Sequence, residues 1–302
     1  MPLRHATLRQ LAVFRALAQH QSVARAAEAL HLTPPAVSIQ VKQLSEHIGH
    51  PLIGQTGKKL YLTAQGEAVA SACRDLLDRL ERLDQDLAAL KGLEQGSLSV
   101  AIITTASYFV PRLLGDFHAE HPGLNVSMFV GNRQTILERM ERNEDDLYIL
   151  GQPPDSARVT AWPFAPNPLV AIASPDHPLR DEVDIDPKRL AREPFIAREG
   201  GSGTRLTAEE FFAKAYAPLQ IRLELGSNEA VKQSVAGHMG FSVLSESTVR
   251  KELASGELVK LDVRGMPLER KWYAAHPRNK VLSPAALAYR DFLDAHFPRP
   301  ST

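Results

Sequence analysis

Three short segments of this 302-residue chain carry side chains suited to holding an anion. They are "TTASY" from Thr104, "GNRQT" from Gly131 and "EGGSGTR" from Glu199. Each follows an apolar run and precedes a helical pattern. Each therefore offers free backbone N–H groups at the positive end of a helix, where negative charge is favoured. Thr104, Thr105, Asn132, Ser202, Gly203, Thr204 and Arg205 add hydroxyls, an amide, flexible backbone and a guanidinium. Those groups suit phosphate or carboxylate. Asn228 either caps its own helix or faces the same ligand. Arg133 and Arg198 stand second, because a solvated position accounts for them equally well. A glycine turn before a helix is as often structural as functional. The run is not a P-loop, since no Gly-Lys-Ser/Thr follows it. The donors together fit a phosphorylated metabolite or a nucleotide.

No catalytic constellation accompanies them. The eleven histidines show no His-Glu-x-x-His spacing. Gly201-Ser202-Gly203 lacks the spacing of a nucleophile elbow, and His118 and His121 read as exposed helix-end residues. The expectation is no enzyme, no metal and no tightly held cofactor. The single cysteine, Cys73, cannot form an internal disulfide and fits a reducing cytoplasm. No run of 18 apolar residues exists to span a membrane. The polar start "MPLRHATLRQ" has no apolar signal core.

A second chemistry lies at the other end of the chain. The net charge is zero, yet residues 1–66 carry seven Lys/Arg and two acids, leaving 28 basic and 33 acidic groups elsewhere. A basic head on an acidic body implies that the head alone meets a polyanion. "TLRQLAVFRALA" aligns Leu8, Leu11, Phe14 and Leu17 on one helical face, with Thr7 and Gln10 as a capping box. Ser22 starts a short second helix. Thr33 then caps a third, whose first turn holds Pro34 and Pro35, where missing N–H groups do no harm. The constraint on a residue before proline places Pro34 just outside that helix. Val37, Val41, Leu44 and Ile48 face inward, and Gly49 ends the helix. Pro35, Ser38, Ile39, Lys42 and Ser45 face outward.

Two short helices joined by a tight turn, the second with a polar and cationic face, describe a helix-turn-helix. "PLIGQTGKKLYLT" reads as a β wing whose Lys58 and Lys59 touch phosphate. The expected partner is double-stranded DNA. A plain helical hairpin with a solvated loop is the alternative. Ser38 and Lys42 would donate to base edges or phosphate, Ile39 would meet a thymine methyl, and Pro35 would add shape.

From Thr63 a long helix follows. Val69, Cys73, Leu76, Leu80, Leu83, Leu87 and Leu90 repeat at 4 and 3, a heptad seam that calls for a partner helix. The expected self-association is a homodimer or homotetramer. Beyond Gly96 apolar runs alternate with helical ones, which implies parallel α/β sheets. We read residues 1–62 as a winged helix-turn-helix, 63–92 as a linker and dimerisation helix, and 97–302 as a ligand-binding domain. The last divides into one lobe of about 97–164 with 267–302 and another of about 165–266, with a cleft between them.

The segment from "LRQLAVFRALAQHQSVARAAEALHLTPPAVSIQ" through "LYLTAQG" resembles the DNA-binding domain of LysR-type transcriptional regulators. "RNEDDLYILGQPP", "AREGGSGTR" and "GSNEAVKQSVAGHMGFSVLS" look most like the Calvin-cycle operon (CbbR-type) members. The resemblance implies a periplasmic-binding-protein-like pair of lobes, pairing through the linker helix, often tetramers, a phosphorylated effector, control of carbon-fixation genes and RNA polymerase as a further partner. Two positions depart from the family. Pro34 stands where glutamine is common, and Gln55 where an arginine is common. Base reading then falls on Ser38, Ile39 and Lys42. Two other readings stay open on the residues: a cytoplasmic enzyme or solute carrier with a structural helix-turn-helix, and a DNA-architectural protein without an effector.

Overall fold

A computed structural model describes residues 5–56, 59–89, 96–154 and 156–297. The chain forms two compact units, Met1–Leu87 and Ala88–Thr302.

The first unit begins with α1 (Leu8–His20), α2 (Val23–Ala29) and α3 (Pro34–Ile48). Thr7 and Gln10 close the expected capping box on α1, and Ser22 caps α2. Leu11, Phe14 and Leu17 of α1 meet Ala26 and Ala27 of α2 and Val37, Val41 and Leu44 of α3 in one core. The two alanines let three short helices approach closely, and each fully buried Leu or Phe contributes about 1.5–3 kcal/mol. Helix α3 starts at Pro34 itself, with Pro34 and Pro35 in its first turn. Thr33 has the extended backbone of a cap but makes no side-chain cap bond. Pro35 at the second helical position removes one of the two N–H groups that a cap side chain ordinarily accepts from. Gly49, at φ +81°, closes the helix.

Strands β1 (Ile53–Thr56) and β2 (Lys59–Leu62) form the antiparallel wing. Thr63 then caps α4 (Ala64–Ala89): its hydroxyl accepts from Gly66 N at 3.0 Å and donates to the Pro51 carbonyl at 2.7 Å. Within this helix the heptad seam divides. Cys73 is buried and Val69 half-buried, and both pack with Ala70 and Leu77 into the core of their own head. Leu76, Leu80 and Leu83 are exposed. Leu77, outside the seam as read from sequence, is the residue that continues the inner face. A 3.6-residue turn carries the docked stripe away from a strict 3.5 repeat. Leu87 is given no side-chain description, and Leu90 lies outside the described residues.

The second unit has two lobes. The first is built on a five-stranded sheet of order β4-β3-β5-β12-β6, from β3 (Gly96–Ile103), β4 (Leu124–Gly131), β5 (Leu147–Leu150), β6 (Val159–Pro166) and β12 (Lys271–Pro277). Leu98, Val100 and Ile102 point to one face, under α5 (Val110–Glu120) and α11 (Pro284–His296). Ala101 points to the other, with Ile136 and Met140 of α6 (Arg133–Glu141). This is the period-2 alternation of a strand covered on both sides.

The second lobe holds β7 (Leu169–Ala173), β8 (Pro194–Arg198), β9 (Gln220–Leu225), β10 (Ser242–Ser245) and β11 (Val259–Lys260). Its helices are the short α7 (Pro187–Leu190), α8 (Gly203–Lys214), α9 (Asn228–Ala236) and α10 (Glu246–Ser255). Leu169, Ala171 and Ala173 face Phe212 of α8, while Val170 and Ile172 face Val231 and Val235 of α9. Gly240, at φ +144°, is required, because a Cβ there would lie 2.1 Å from the Pro194 carbonyl oxygen.

The parallel pairing expected from strand–helix alternation holds for β3 with β4 and β5, and for β8 with β9. Strand β12 is antiparallel to β5 and β6, and β7 is antiparallel to β10 and β11. These strands enter from the other lobe rather than through a crossover helix, so nothing forces them parallel. Strand β6, unread because Pro163 and Pro166 interrupt it, carries the first lobe past residue 164. The two crossing segments run side by side: Asn167 N donates to the Arg270 carbonyl at 2.7 Å, and Leu169 and Leu268 exchange bonds at 3.0 and 2.9 Å.

Candidate functional site

On the head, the inward stripe of α3 leaves Pro35, Ser38, Ile39 and Lys42 exposed on one face. Ile39 is 54% exposed, a large apolar residue that the fold itself does not use. Among the described residues Lys42 pairs with Glu46, one turn on, at 3.8 Å, and at that exposure such a pair is weak. Ser38 differs from the sequence expectation. Its hydroxyl donates to the Pro34 carbonyl at 3.1 Å, so it presents lone pairs outward rather than a free proton. This back-bond to the carbonyl of residue i−4 is the usual arrangement of a serine inside a helix. Lys58 lies outside the described residues, and the Lys59 side chain is likewise undescribed.

In the second unit one cleft collects the predicted anion-binding segments. A 3₁₀ turn, Thr104–Tyr108, brings Thr104 and Thr105 to it from the end of β3. Asn132 caps α6, its Oδ1 accepting from Thr135 N at 2.9 Å, and Ser202 caps α8, accepting from Arg205 N at 3.4 Å. Ser202, Gly203 and Thr204 line the opposite wall. Six of the eight predicted effector residues thus meet in one place.

Two do not. Arg205 turns away from the lining and is spent on structure, with Nε 2.7 Å from Glu209, and Nη1 2.6 Å from Glu224 and 3.0 Å from the Arg198 carbonyl. Asn228 neither caps nor lines. Ser227 is the cap of α9, and the Asn228 amide oxygen instead accepts from Arg198 Nη1 inside the lobe. Both errors share a cause: polar groups at a helix start serve neighbouring charges as readily as a ligand.

Three arginines take their place. Arg198 is only 2% exposed, and its guanidinium donates to both oxygens of Glu199, at 2.7 and 2.9 Å, and to Thr104 Oγ1 at 3.2 Å. Arg133, the first residue of α6, lines the cleft with a buried Nε that has no hydrogen-bond partner. Arg270, which the sequence reading passed over, lines it from the crossing segment and donates to the Gly203 carbonyl at 3.3 Å. Burial, and then the adjacent Arg133 charge, press the Arg270 pKa down from its ordinary value. The group stays charged all the same. Among the described residues neither Arg133 nor Arg270 has a carboxylate partner. Gly203 and Gly151 make room for them: a Cβ on Gly203 would stand 3.1 Å from Arg133 Cδ, and one on Gly151 3.2 Å from Arg270 Nη2. Two half-buried like charges, unpaired and flanked by two helix N-termini, form a site of strong positive potential.

Among the described residues no group of three His, Cys, Asp or Glu is arranged to hold a metal, and no helix is long and apolar enough to cross a membrane. The chain matches two family models: the bacterial regulatory helix-turn-helix protein of the lysR family over residues 8–67, and the LysR substrate binding domain over residues 91–298. It is 61% identical to a RuBisCO operon transcriptional regulator of Acidithiobacillus ferrooxidans, over 98% of this chain and 96% of that protein. Its second unit resembles the Synechocystis PCC6803 CcmR regulatory domain solved in complex with 2-PG (48% identity, TM-score 0.66, 68% of this chain and 99% of that one). The whole fold resembles a full-length OxyR variant of Pseudomonas aeruginosa (23% identity, TM-score 0.75, 96% of this chain and 95% of that one). The two family models between them span the helix-turn-helix head and the two-lobed α/β domain, and the chain belongs to the LysR family of bacterial helix-turn-helix transcription regulators.

Proposed function

We propose that this regulator controls a carbon-fixation (RuBisCO) operon from the cytoplasm in response to a small phosphorylated effector held between its lobes. The observation that carries the effector reading is the pair Arg133 and Arg270, half-buried in one cleft without a carboxylate between them. A dianionic phosphate placed there is met by two guanidinium groups and by backbone N–H groups at the starts of α6 and α8. The 2-PG bound by the related CcmR domain is a ligand of this chemistry.

Residues 1–62 serve as the DNA-reading head, 63–92 as the linker and 97–302 as the effector domain. Helix α3 enters the major groove, with Ile39 against a thymine methyl, Lys42 on phosphate or a base edge, and Pro35 and Ser38 fitting the groove edge. Lys58 and Lys59, which the sequence places between and at the start of the wing strands, neutralise phosphate. Exposed Leu76, Leu80 and Leu83 on α4 pair two copies, whose heads then match a roughly palindromic operator. RNA polymerase is the downstream partner at the promoter. The effector acts by binding one lobe arrangement better than another, since equal affinity for both would shift nothing.

The test uses the full chain and a duplex from the region upstream of RuBisCO genes. Binding is titrated at several salt concentrations with and without 2-PG. Affinity should fall steeply with salt and change on adding 2-PG. Salt-insensitive binding removes the DNA reading, and a duplex affinity and melting temperature both indifferent to 2-PG remove the effector reading.

A further inference from the structure

The three arginines of the cleft are not equivalent. Arg133 and Arg270 lack carboxylate partners among the described residues, whereas Arg198 already has one. Glu199, its neighbour in sequence, takes the Nε and Nη2 edge of the guanidinium with both oxygens, at 2.7 and 2.9 Å. This is the forked geometry in which arginine holds a ligand's carboxylate or phosphate. The remaining contacts, Asn228 on Nη1 and Thr104 on Nη2, come from fixed elements of the two lobes. Glu199 differs from those two. Its side chain is 20% exposed, it lines the cleft, and nothing else in the described residues ties its carboxylate down. The buried Arg198 needs an anion, but not this particular one. A charge buried at 2% exposure without a partner is severely unfavourable, so some carboxylate or phosphate must always occupy that edge.

We propose that Glu199 is a tethered counter-ion that the effector displaces: the effector carries two anionic groups, one held by Arg133 and Arg270 and a second that takes the forked edge of Arg198 as Glu199 swings to solvent. This rests on the phosphate reading of the cleft given above. It makes Glu199 a specificity residue. Ligands with one anionic group leave it in place and gain only the Arg133/Arg270 end. Ligands with two must compete with it, and are rewarded by a guanidinium already oriented by Asn228 and Thr104. The exchange conserves charge pairing, because Arg198 passes from one anion to another and is never left bare.

The experiment compares two ligands on the full-length protein by calorimetric titration: inorganic phosphate, with one anionic group, and 2-PG, with a carboxylate beside its phosphate. Removing a negative charge in Glu199→Gln raises affinity for any anion, and inorganic phosphate reads that general gain. The exchange predicts a further gain for 2-PG of about tenfold, the worth of one charge-assisted bond no longer contested. Glu199→Asp keeps the charge but shortens the tether, so 2-PG should tighten while phosphate stays unchanged. Glu199→Asp also serves if the glutamine variant folds poorly. Equal gains for both ligands, or weaker 2-PG binding in either variant, overturn the exchange while leaving the phosphate site standing. Wild-type protein that binds neither ligand overturns both.

Discussion

Replacing Arg270 by methionine should separate the cost of the empty cleft from the worth of the filled one. In the protein without ligand, Arg270→Met removes a single long hydrogen bond, to the Gly203 carbonyl at 3.3 Å, worth ~0.5–1.5 kcal/mol. It also removes a half-buried cation pressed against Arg133, whose charge is one cause of the lowered Arg270 pKa. These terms oppose each other, so the unliganded melting temperature should change little or rise. With effector the sign reverses. A bond between a guanidinium and a phosphate contributes ~1.5–3 kcal/mol, so the dissociation constant should rise about 10- to 150-fold. At a ligand concentration that stabilises wild type by ~2.7 kcal/mol, the variant should gain only ~0.3–1.4 kcal/mol. Thermal unfolding of the full chain across a 2-PG titration measures both ends in one series. A variant that loses more than ~2 kcal/mol without ligand, yet keeps its ligand-induced shift, would show Arg270 to be a structural residue and refute the clamp.

Three other outcomes follow from the same coordinates. Gly240→Ala forces a Cβ to within 2.1 Å of the Pro194 carbonyl at φ +144°, so it should destabilise the second unit by ~3 kcal/mol or more in thermal unfolding and leave the head's DNA affinity at low temperature intact. Ile39→Ala should lower operator affinity at one base step and leave the salt slope alone, whereas Lys42→Ala should reduce that slope by about 1, both read by duplex titration. Burial pushes the Cys73 thiol from 9.0 up to about 11, which means that folding favours its protonated form. That contribution is complete below pH 9 and disappears as pH rises through about 11, so Cys73→Ala should flatten the alkaline limb of the stability curve. For the same reason thiol reagents at pH 8 should modify wild type only as fast as the head opens.

What the sequence made legible was whatever is local. The capping box at Thr7, the proline start of α3, the glycine at its end and the pairing of the two wing strands are settled by residues within a few positions of each other. So are the helix starts at Asn132 and Ser202 and the turn after β3, and six of the eight residues predicted from them line the cleft. The misses are non-local. Leu77 docks on the head because of where α1 and α3 lie, and the heptad count could not know that the first turns of α4 already had a partner. Arg205 offered the same chemistry as Arg198, and only the positions of Glu209 and Glu224 show which of the two was committed to holding the lobe together. Arg270 sits in an unremarkable polar stretch, and nothing near it in sequence marks it. Its place beside Gly203 depends on two chain segments crossing about a hundred residues apart, and no periodicity reports such a meeting.

The same crossing means that an effector bound as proposed would hold both lobes at once. Arg133 belongs to a helix of the first lobe, Arg198 ends a strand of the second, and Arg270 lies on the segment that returns from one to the other. A ligand touching all three bonds both lobes and the strand between them. Any change in the angle of the lobes must then lengthen at least one of those contacts. The ligand's affinity is therefore different for each lobe arrangement, which is the one property an effector needs to shift a population. A site built from a single lobe, however tight, would lack it.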